Sequence, residues 1–163
     1  MLVNTVRFGE LELEADQIIT FEQGLPGFEH FRTFTLLTPD PELPFTFLQS
    51  LEDGEVAFIL TNPFLFYDDY EFELTPETVE QLQVAAPKDV TVWSIVSITD
   101  ELATSTINLL APVVIHENAR LGKQVILHGS GYVTKHPLIP LKPVAASPET
   151  AAGKEARHAR IDT

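Results

Sequence analysis

The chain has 163 residues, 44% of them hydrophobic and 9% aromatic, with 24 acidic residues, ten basic ones and a formal charge of −14. That is enough apolar material for one domain around a single core and too much for a wholly disordered chain, while no run approaches the roughly 20 apolar residues that span a bilayer. The absence of cysteine removes disulfides, thiolate catalysis and cysteine metal sites together; the opening MLVNTVRFGELELEAD lacks the basic-then-apolar order of a secretory signal, so a soluble, cytoplasmic protein without a membrane role is expected.

The charge is unevenly placed. Residues 1–84 carry 17 acidic side chains and two basic ones, Arg7 and Arg32, for −15; residues 85–163 carry seven acidic and eight basic, for +1. Nucleic-acid binding needs cations that displace counterions from phosphates, so no direct nucleic-acid role is expected. Such a half-domain attracts basic proteins and speeds their docking at low salt. Acid also serves solubility alone, and charge by itself does not separate the two.

Period-2 patterning dominates from the start. Leu11 and Leu13 alternate with Glu10, Glu12 and Glu14, and the parity shared by Val6 and Phe8 breaks at Gly9, which predicts a bulge or tight turn there. The Gln23-Gly24-Leu25-Pro26-Gly27 stretch is turn chemistry, and Phe21, Phe28 and Phe31 around it read as core anchors. It has neither the strand-to-helix context nor the Lys-Ser/Thr of a phosphate loop. Further turns fall at Pro39-Asp40-Pro41 and Glu52-Asp53-Gly54. The runs Val56–Leu60, Val90–Ile98, Pro112–Ile115 and Val125–Leu127 are apolar on both parities, as in strands covered on two faces. Trp93 lies inside one of them and is either core or interface.

Between these runs, Tyr70, Phe72 and Leu74 alternate with Asp69, Glu71 and Glu73. The stretch has one apolar and one anionic face, and Asp68 through Glu73 is the densest acid in the chain. It reads as a dock for a basic partner or as a solvated outer face. Carboxylates alone could hold Ca²⁺, but the twelve-residue EF-hand spacing is absent. Phe64, Phe66 and Tyr67 precede the acid, and consecutive aromatics on a strand point both ways, so some are core and one can face a partner. One helix is predicted after Thr75, with Thr75 as cap, Pro76 in the first turn, Val79 and Leu82 on one face, and Pro87 stopping it by Lys88. It is expected to be a short lid.

His30, His116, His128, His136 and His158 show no metal-ligand spacing and read as turn or surface residues. No nucleophile elbow, dinucleotide fingerprint or Walker sequence occurs, so no catalytic residue, cofactor or metal is assigned. The pattern stops near residue 142, and 143–163, rich in Ala, Pro and small polar residues, reads as a disordered tail. The fold expected is mainly β: a small single-domain barrel over 1–142, closed or partly split, with one or two short helices.

Several ordered segments resemble the flagellar assembly factor FliW family. They are Phe21-Glu22-Gln23-Gly24-Leu25-Pro26-Gly27-Phe28-Glu29-His30-Phe31; Pro44-Phe45-Thr46-Phe47-Leu48-Gln49-Ser50; the stretch from Asn62-Pro63 to Tyr70-Glu71-Phe72; Thr106-Ile107-Asn108-Leu109-Leu110-Ala111-Pro112-Val113-Val114-Ile115; and Gly122 to Leu127, followed by Tyr132 and Lys135-His136-Pro137-Leu138. The likeness covers roughly residues 1–139. Asn62 stands where the family usually has Asp, and His116 where Asn is common.

The resemblance implies a non-enzymatic partner switch. FliW-like proteins bind flagellin and also bind the RNA-binding translational regulator CsrA, antagonising it allosterically, so that flagellin translation follows flagellin export. On this reading Asp68, Asp69, Glu71 and Glu73 are the anionic contact for CsrA, Phe66, Tyr67 and Asn108 face a partner, and Asn108 with Leu109-Leu110 shapes a second, more apolar face. Flagellin, with amphipathic terminal helices, is expected in an apolar groove, and the free protein is expected to be monomeric. Two alternatives stay open: an export chaperone for flagellin without CsrA antagonism, and a flavin-binding split-barrel enzyme.

Overall fold

In the computed structural model, which describes residues 1–139 and the backbone of the pair Arg160–Ile161, the two-sided apolar runs become the wall of a barrel. The chain opens with a hairpin of β1 (Leu2–Thr5) and β2 (Gly9–Glu12). Its turn is made by Gly9 at φ +69° and by the Thr5 hydroxyl, which donates to the Gly9 carbonyl (2.8 Å) and accepts from the Phe8 amide (2.9 Å). Gly9 is thus the tight turn that the parity switch predicts.

The barrel strands are β3 (Ile19–Thr20), β4 (Thr33–Leu37), β5 (Thr46–Ser50), β6 (Ala57–Thr61), β8 (Thr91–Ser97), β10 (Val113–His116) and β11 (Leu121–Gln124). They run in the order β10-β11-β3-β4-β5-β6-β8, and β8 pairs back with β10 to close the ring. All pairs are antiparallel except β11 with β3. Two short strands, β9 (Thr106–Ile107) and β12 (His136–Pro137), extend the sheet outward from β8. Val125–Leu127, expected as a strand, lies just past β11; its amides at Val125 and Leu127 still bond to Pro112 and Leu110 (both 2.8 Å), and both side chains are buried.

Register decides which face is inside. Leu36 lies opposite Leu48, Thr46 opposite Leu60, Leu60 opposite Ile95 and Trp93 opposite Val113, so these side chains share one face. Residues of that face from every quarter of the ring converge in one cluster of Ile19, Phe34, Leu48, Leu60, Val113 and Ile115. Phe21 and Leu25 enter it from the Gly24-Leu25-Pro26-Gly27 loop. Phe21 meets Phe34 edge to face at 5.2 Å, and a Cβ at Gly122 would overlap its ring. Gly24, at φ +64°, leaves no space for a Cβ against the Glu29 backbone (2.6 Å). The loop is therefore a plug built by glycine, with Phe21 fully buried and Phe28 and Phe31 half-buried on its flank. Trp93 is half-buried against the same cluster and donates its indole N–H to the Thr91 hydroxyl (3.0 Å).

The opposite face of β6, β8 and β10 presents Ile59, Val92, Val96 and Val114. It is covered by residues 62–84 and by the segments after β9 and β11, which contribute Phe64, Tyr70, Phe72, Leu74, Leu82 and Leu138 among others. This second core explains why the runs are apolar on both parities.

The covering segment contains β7 (Glu73–Leu74) and the α-helix of the described chain, α1 (Pro76–Gln81). The Thr75 hydroxyl accepts from the Thr78 amide (3.2 Å), the cap expected of it. The helix ends earlier than Pro87. Val84 N–H reaches the Val79 carbonyl (2.9 Å) and Gln83 N–H the Glu80 carbonyl (3.1 Å), which is a Schellman closure with Gln83 at φ +56°. Pro87 instead opens a separate single turn over Pro87–Asp89. His116, expected at a turn or on the surface, is buried: its Nδ1–H donates to the Leu82 carbonyl (2.8 Å), satisfying a helix-end acceptor from the barrel wall.

The expected tail of 143–163 lies outside the described residues, apart from β13 (Arg160–Ile161), whose backbone pairs with β7 in parallel register. No helix among the described residues is long and apolar enough to cross a membrane.

Gln83 holds a left-handed conformation that an L side chain disfavours by about 1 kcal/mol relative to glycine. Gln83→Gly is expected to raise stability by up to about 1 kcal/mol, measured as a higher urea midpoint at unchanged slope.

Candidate functional site

The acidic stretch is positioned by what lies beneath it. Asn62 opens the covering segment by accepting the Phe64 amide on Oδ1 (2.9 Å), with Pro63 in the first turn of a 3-10 helix, Pro63–Leu65. Asn62 is thus the cap of this turn, a role for which Asn and Asp are equally suited. Tyr67 N–H then bonds to Pro63 (2.9 Å) and Tyr70 N–H to Tyr67 (3.1 Å), folding the chain tightly before it extends. From there Tyr70 (3% exposed), Phe72 (7%) and Leu74 (0%) point into the outer core, which leaves Asp69, Glu71 and Glu73 exposed on the other side. Asp68 is half-buried at the start of the row. Glu71 and Glu73 lie two positions apart along the extended chain, with Phe72 between them, so their side chains project on the same side roughly 7 Å apart.

The footing is aromatic. Tyr70 packs between Phe64 (5.6 Å), Phe72 (5.5 Å) and Tyr132 (4.8 Å, edge to face), and Tyr67 and Tyr132 both meet the His136 ring, at 5.8 and 6.1 Å. Hydrogen bonds lock the contacts. The Tyr70 hydroxyl donates to the Leu109 carbonyl (2.7 Å), Tyr67 to the Pro137 carbonyl (2.5 Å), and the Tyr132 hydroxyl accepts from the Glu71 amide (3.3 Å). His136 Nε2 accepts from the Val133 amide (2.9 Å), which places the ring proton on Nδ1.

Protonation follows the same geometry. Burial pushes all three phenols upward, with the Asp69 charge adding to the effect at Tyr67 and Tyr132, and the Tyr132 hydroxyl adding to it at Tyr70. Burial holds the His136 imidazole below its ordinary value. At neutral pH the floor is therefore uncharged. This arrangement can grip a cationic surface, with aromatic area at its edge. Among the described residues no group of three or more His, Asp or Glu converges on a point that could hold a metal ion.

Asp68, Asp69, Glu71, Glu73 and Tyr67 thus come together in one patch. Phe66 is half-buried against the outer core one residue before Tyr67. Asn108 has a turn role: its Oδ1 accepts from the Ala111 amide (2.9 Å), and the next residue, Leu109, is 1% exposed and supplies the carbonyl that Tyr70 uses. The sequence reading missed Tyr132 and His136 as parts of the floor. Their signal was weak, an aromatic after the Gly129-Ser130-Gly131 turn and a His-Pro pair, with nothing to tie them to residues 67–71.

A second surface lies on the outer face of β5 and β6. Phe47 and Ile59, paired across the strands, floor a groove whose sides are Pro39, Leu43, Phe45 and Ile98, with Asp40 at its edge. Leu43 is 55% exposed and Ile98 40%. Phe8 packs edge to face on Phe47 (5.2 Å), and the Arg7 guanidinium sits 5.0 Å over the same ring.

The model of the family described as "FliW protein" matches residues 2–138, which is the whole barrel with both surfaces. The chain belongs to the FliW family. It is 43% identical over 138 residues to the flagellar assembly factor FliW of Bacillus licheniformis, covering 85% of this chain and 96% of that one. To the protein of the same name from Bacillus subtilis it is 39% identical over 138 residues, with the same coverage. A crystal structure of the flagellar assembly factor FliW superposes with a TM-score of 0.81 at 41% identity, covering 87% of this chain and 99% of that one. The FliW-family barrel is therefore shared with its relatives, and residues beyond 138 lie outside the match.

Removing the Tyr70 hydroxyl strips the buried Leu109 carbonyl of its donor. Tyr70→Phe is expected to cost about 1–2 kcal/mol in urea unfolding, with faster amide exchange across residues 70–74.

Proposed function

We propose that this FliW-family chain is a non-catalytic, cytoplasmic regulator that binds flagellin and, when free of it, captures a CsrA-type RNA-binding protein through the row Asp68, Asp69, Glu71 and Glu73. Capture away from the RNA site would relieve repression of flagellin translation, and accumulation of flagellin would restore it. The observation that carries this reading is the anchoring of the acidic row by Tyr70, Phe72 and Leu74 over an uncharged floor. A row held rigid loses little conformational freedom on binding, and it lies in the half of the chain that carries −15. Cationic surfaces of an RNA-binding protein are steered toward it.

Flagellin is assigned to the groove of Leu43, Phe45, Phe47, Ile59 and Ile98, because an amphipathic helix lays its apolar face into such a trough. The groove being a surface separate from the acidic row keeps the export-chaperone reading alive, in which both partners bind at once; partner switching requires that they exclude each other. A flavin enzyme is less well supported. Phe21, Phe34, Leu48 and Leu60, all 0% exposed, fill the barrel interior, so an isoalloxazine would have to lie outside it.

Glu71→Lys/Glu73→Lys in the full chain is expected to weaken binding of the CsrA-type protein about tenfold or more at low salt and to flatten the salt dependence, with the melting temperature nearly unchanged because both sites are exposed. Calorimetric titration at two salt concentrations measures this. Undiminished affinity would reduce the row to a solvated face.

A further inference from the structure

The groove assigned to a helix carries a charge mark of its own. Residues 1–84 hold two basic side chains, Arg7 and Arg32. Arg7 is the one at the groove: its guanidinium lies 5.0 Å over the ring of Phe47, a floor residue, and Phe8 meets the same ring edge to face at 5.2 Å. The hairpin tip that presents them is fixed to the barrel. The Thr5 hydroxyl accepts the Phe8 amide (2.9 Å), Gly9 makes the turn at φ +69°, and Val6 N–H bonds to the Gly54 carbonyl (3.0 Å). A Cβ at Gly54 would run into the Asn4 carbonyl, so the hairpin and the turn between β5 and β6 meet backbone to backbone. Asp40 also lines the groove. Its carboxylate accepts the Glu42 amide (3.0 Å) and its carbonyl the Leu43 amide (3.1 Å), which sets the turn that holds Leu43 out.

Resting on the assignment of this groove to an amphipathic helix, we infer that Arg7 is its specificity-determining residue, and that the helix it admits carries carboxylates along one flank of its apolar stripe. The stripe fills the trough over Phe47 and Ile59, as helix-in-groove recognition requires. A carboxylate at the margin of the stripe takes two parallel N–H bonds from Arg7. The ring contact places the guanidinium without spending the fork of donors that matches a carboxylate, so little side-chain freedom is lost on binding. Asp40 acts by exclusion. It repels the same carboxylates, so the acidic flank faces the hairpin and the other flank is neutral or basic. The half of the chain that sums to −15 thereby sorts polypeptides by sign: basic ones go to residues 68–73, and acid-flanked helices to the groove.

The test uses the full chain and its Arg7→Gln, Arg7→Lys and Arg7→Glu variants. Two synthetic helical peptides with the same leucine stripe serve as probes, one with Glu along one flank and one with Lys in the same places, the other flank being Gln in both. Amide shift titrations at about 0.15 M salt, where distant surface charge is largely screened, read groove occupancy at Leu43, Phe47 and Ile98. The Glu peptide should bind the groove of the unaltered chain about fivefold more tightly than the Lys peptide. Arg7→Gln should abolish that preference, Arg7→Lys should keep part of it, and Arg7→Glu should reverse it. An Arg7 that only pins the hairpin would instead weaken both peptides alike, and that result overturns the inference. Equal affinity of the two peptides for the unaltered chain, or an unchanged preference in Arg7→Glu, overturns it too while leaving the groove as a helix site. A groove whose amides neither peptide shifts refutes the helix assignment itself, and the inference falls with it.

Discussion

The central wall of the barrel has to be dry on both sides. β8 pairs with β6 and with β10 to close the ring, and its alternating residues feed two different cores, Trp93 and Ile95 inward and Val92 and Val96 outward. Leaving the outward set in water would forfeit about 1.5–3 kcal/mol for each large apolar side chain. The covering segment, 62–84, is what prevents this, and its requirement for inward apolar residues at every second position dictates what remains outside. In this chain the remainder is Asp69, Glu71 and Glu73. The acidic row is thus the outer face of a structural cover, and its placement is inherited from the core that the cover seals.

Seen that way, the aromatic floor and the acid are two products of one constraint. Tyr70 is buried deeply enough to pack on three rings and still spends its hydroxyl on Leu109, so its polar atom is satisfied within the core. Tyr67, Tyr132 and His136 close the margin of the floor and stay neutral. The apolar groove on β5 and β6 has a different origin. It is a strip of the outer wall that the N-terminal hairpin covers only at Phe47, through Phe8 and Arg7, and Leu43 and Ile98 remain exposed along it.

Much of this was legible beforehand because the signals were local. Period-2 alternation places Tyr70, Phe72 and Leu74 inward, and runs apolar on both parities imply a wall with two covered faces. Gly9 and Thr75 announce their turn and cap. One failure is local: the helix ends at a Schellman closure on Gln83, a residue with no glycine signal, and both Val79 and Val84 turn into the outer core. The others share a cause, which is contact between residues distant in sequence. His116 carries no sequence mark of burial; it is drawn inside because the Leu82 carbonyl, 34 residues away, needs a donor. Tyr132 and His136 join the acidic stretch across more than 60 residues. The family resemblance marked the segments that contain them without saying that they meet.

The central claim is that a basic regulator reads the outer face of the cover. Amide chemical-shift mapping of isotopically labelled full-length protein, titrated with a CsrA-type protein at low salt, addresses it most directly. The account predicts shifts concentrated in residues 68–74 and 132–137. Shifts confined to the groove around Leu43, Phe47 and Ile98, with residues 68–74 unmoved at saturation, would contradict it.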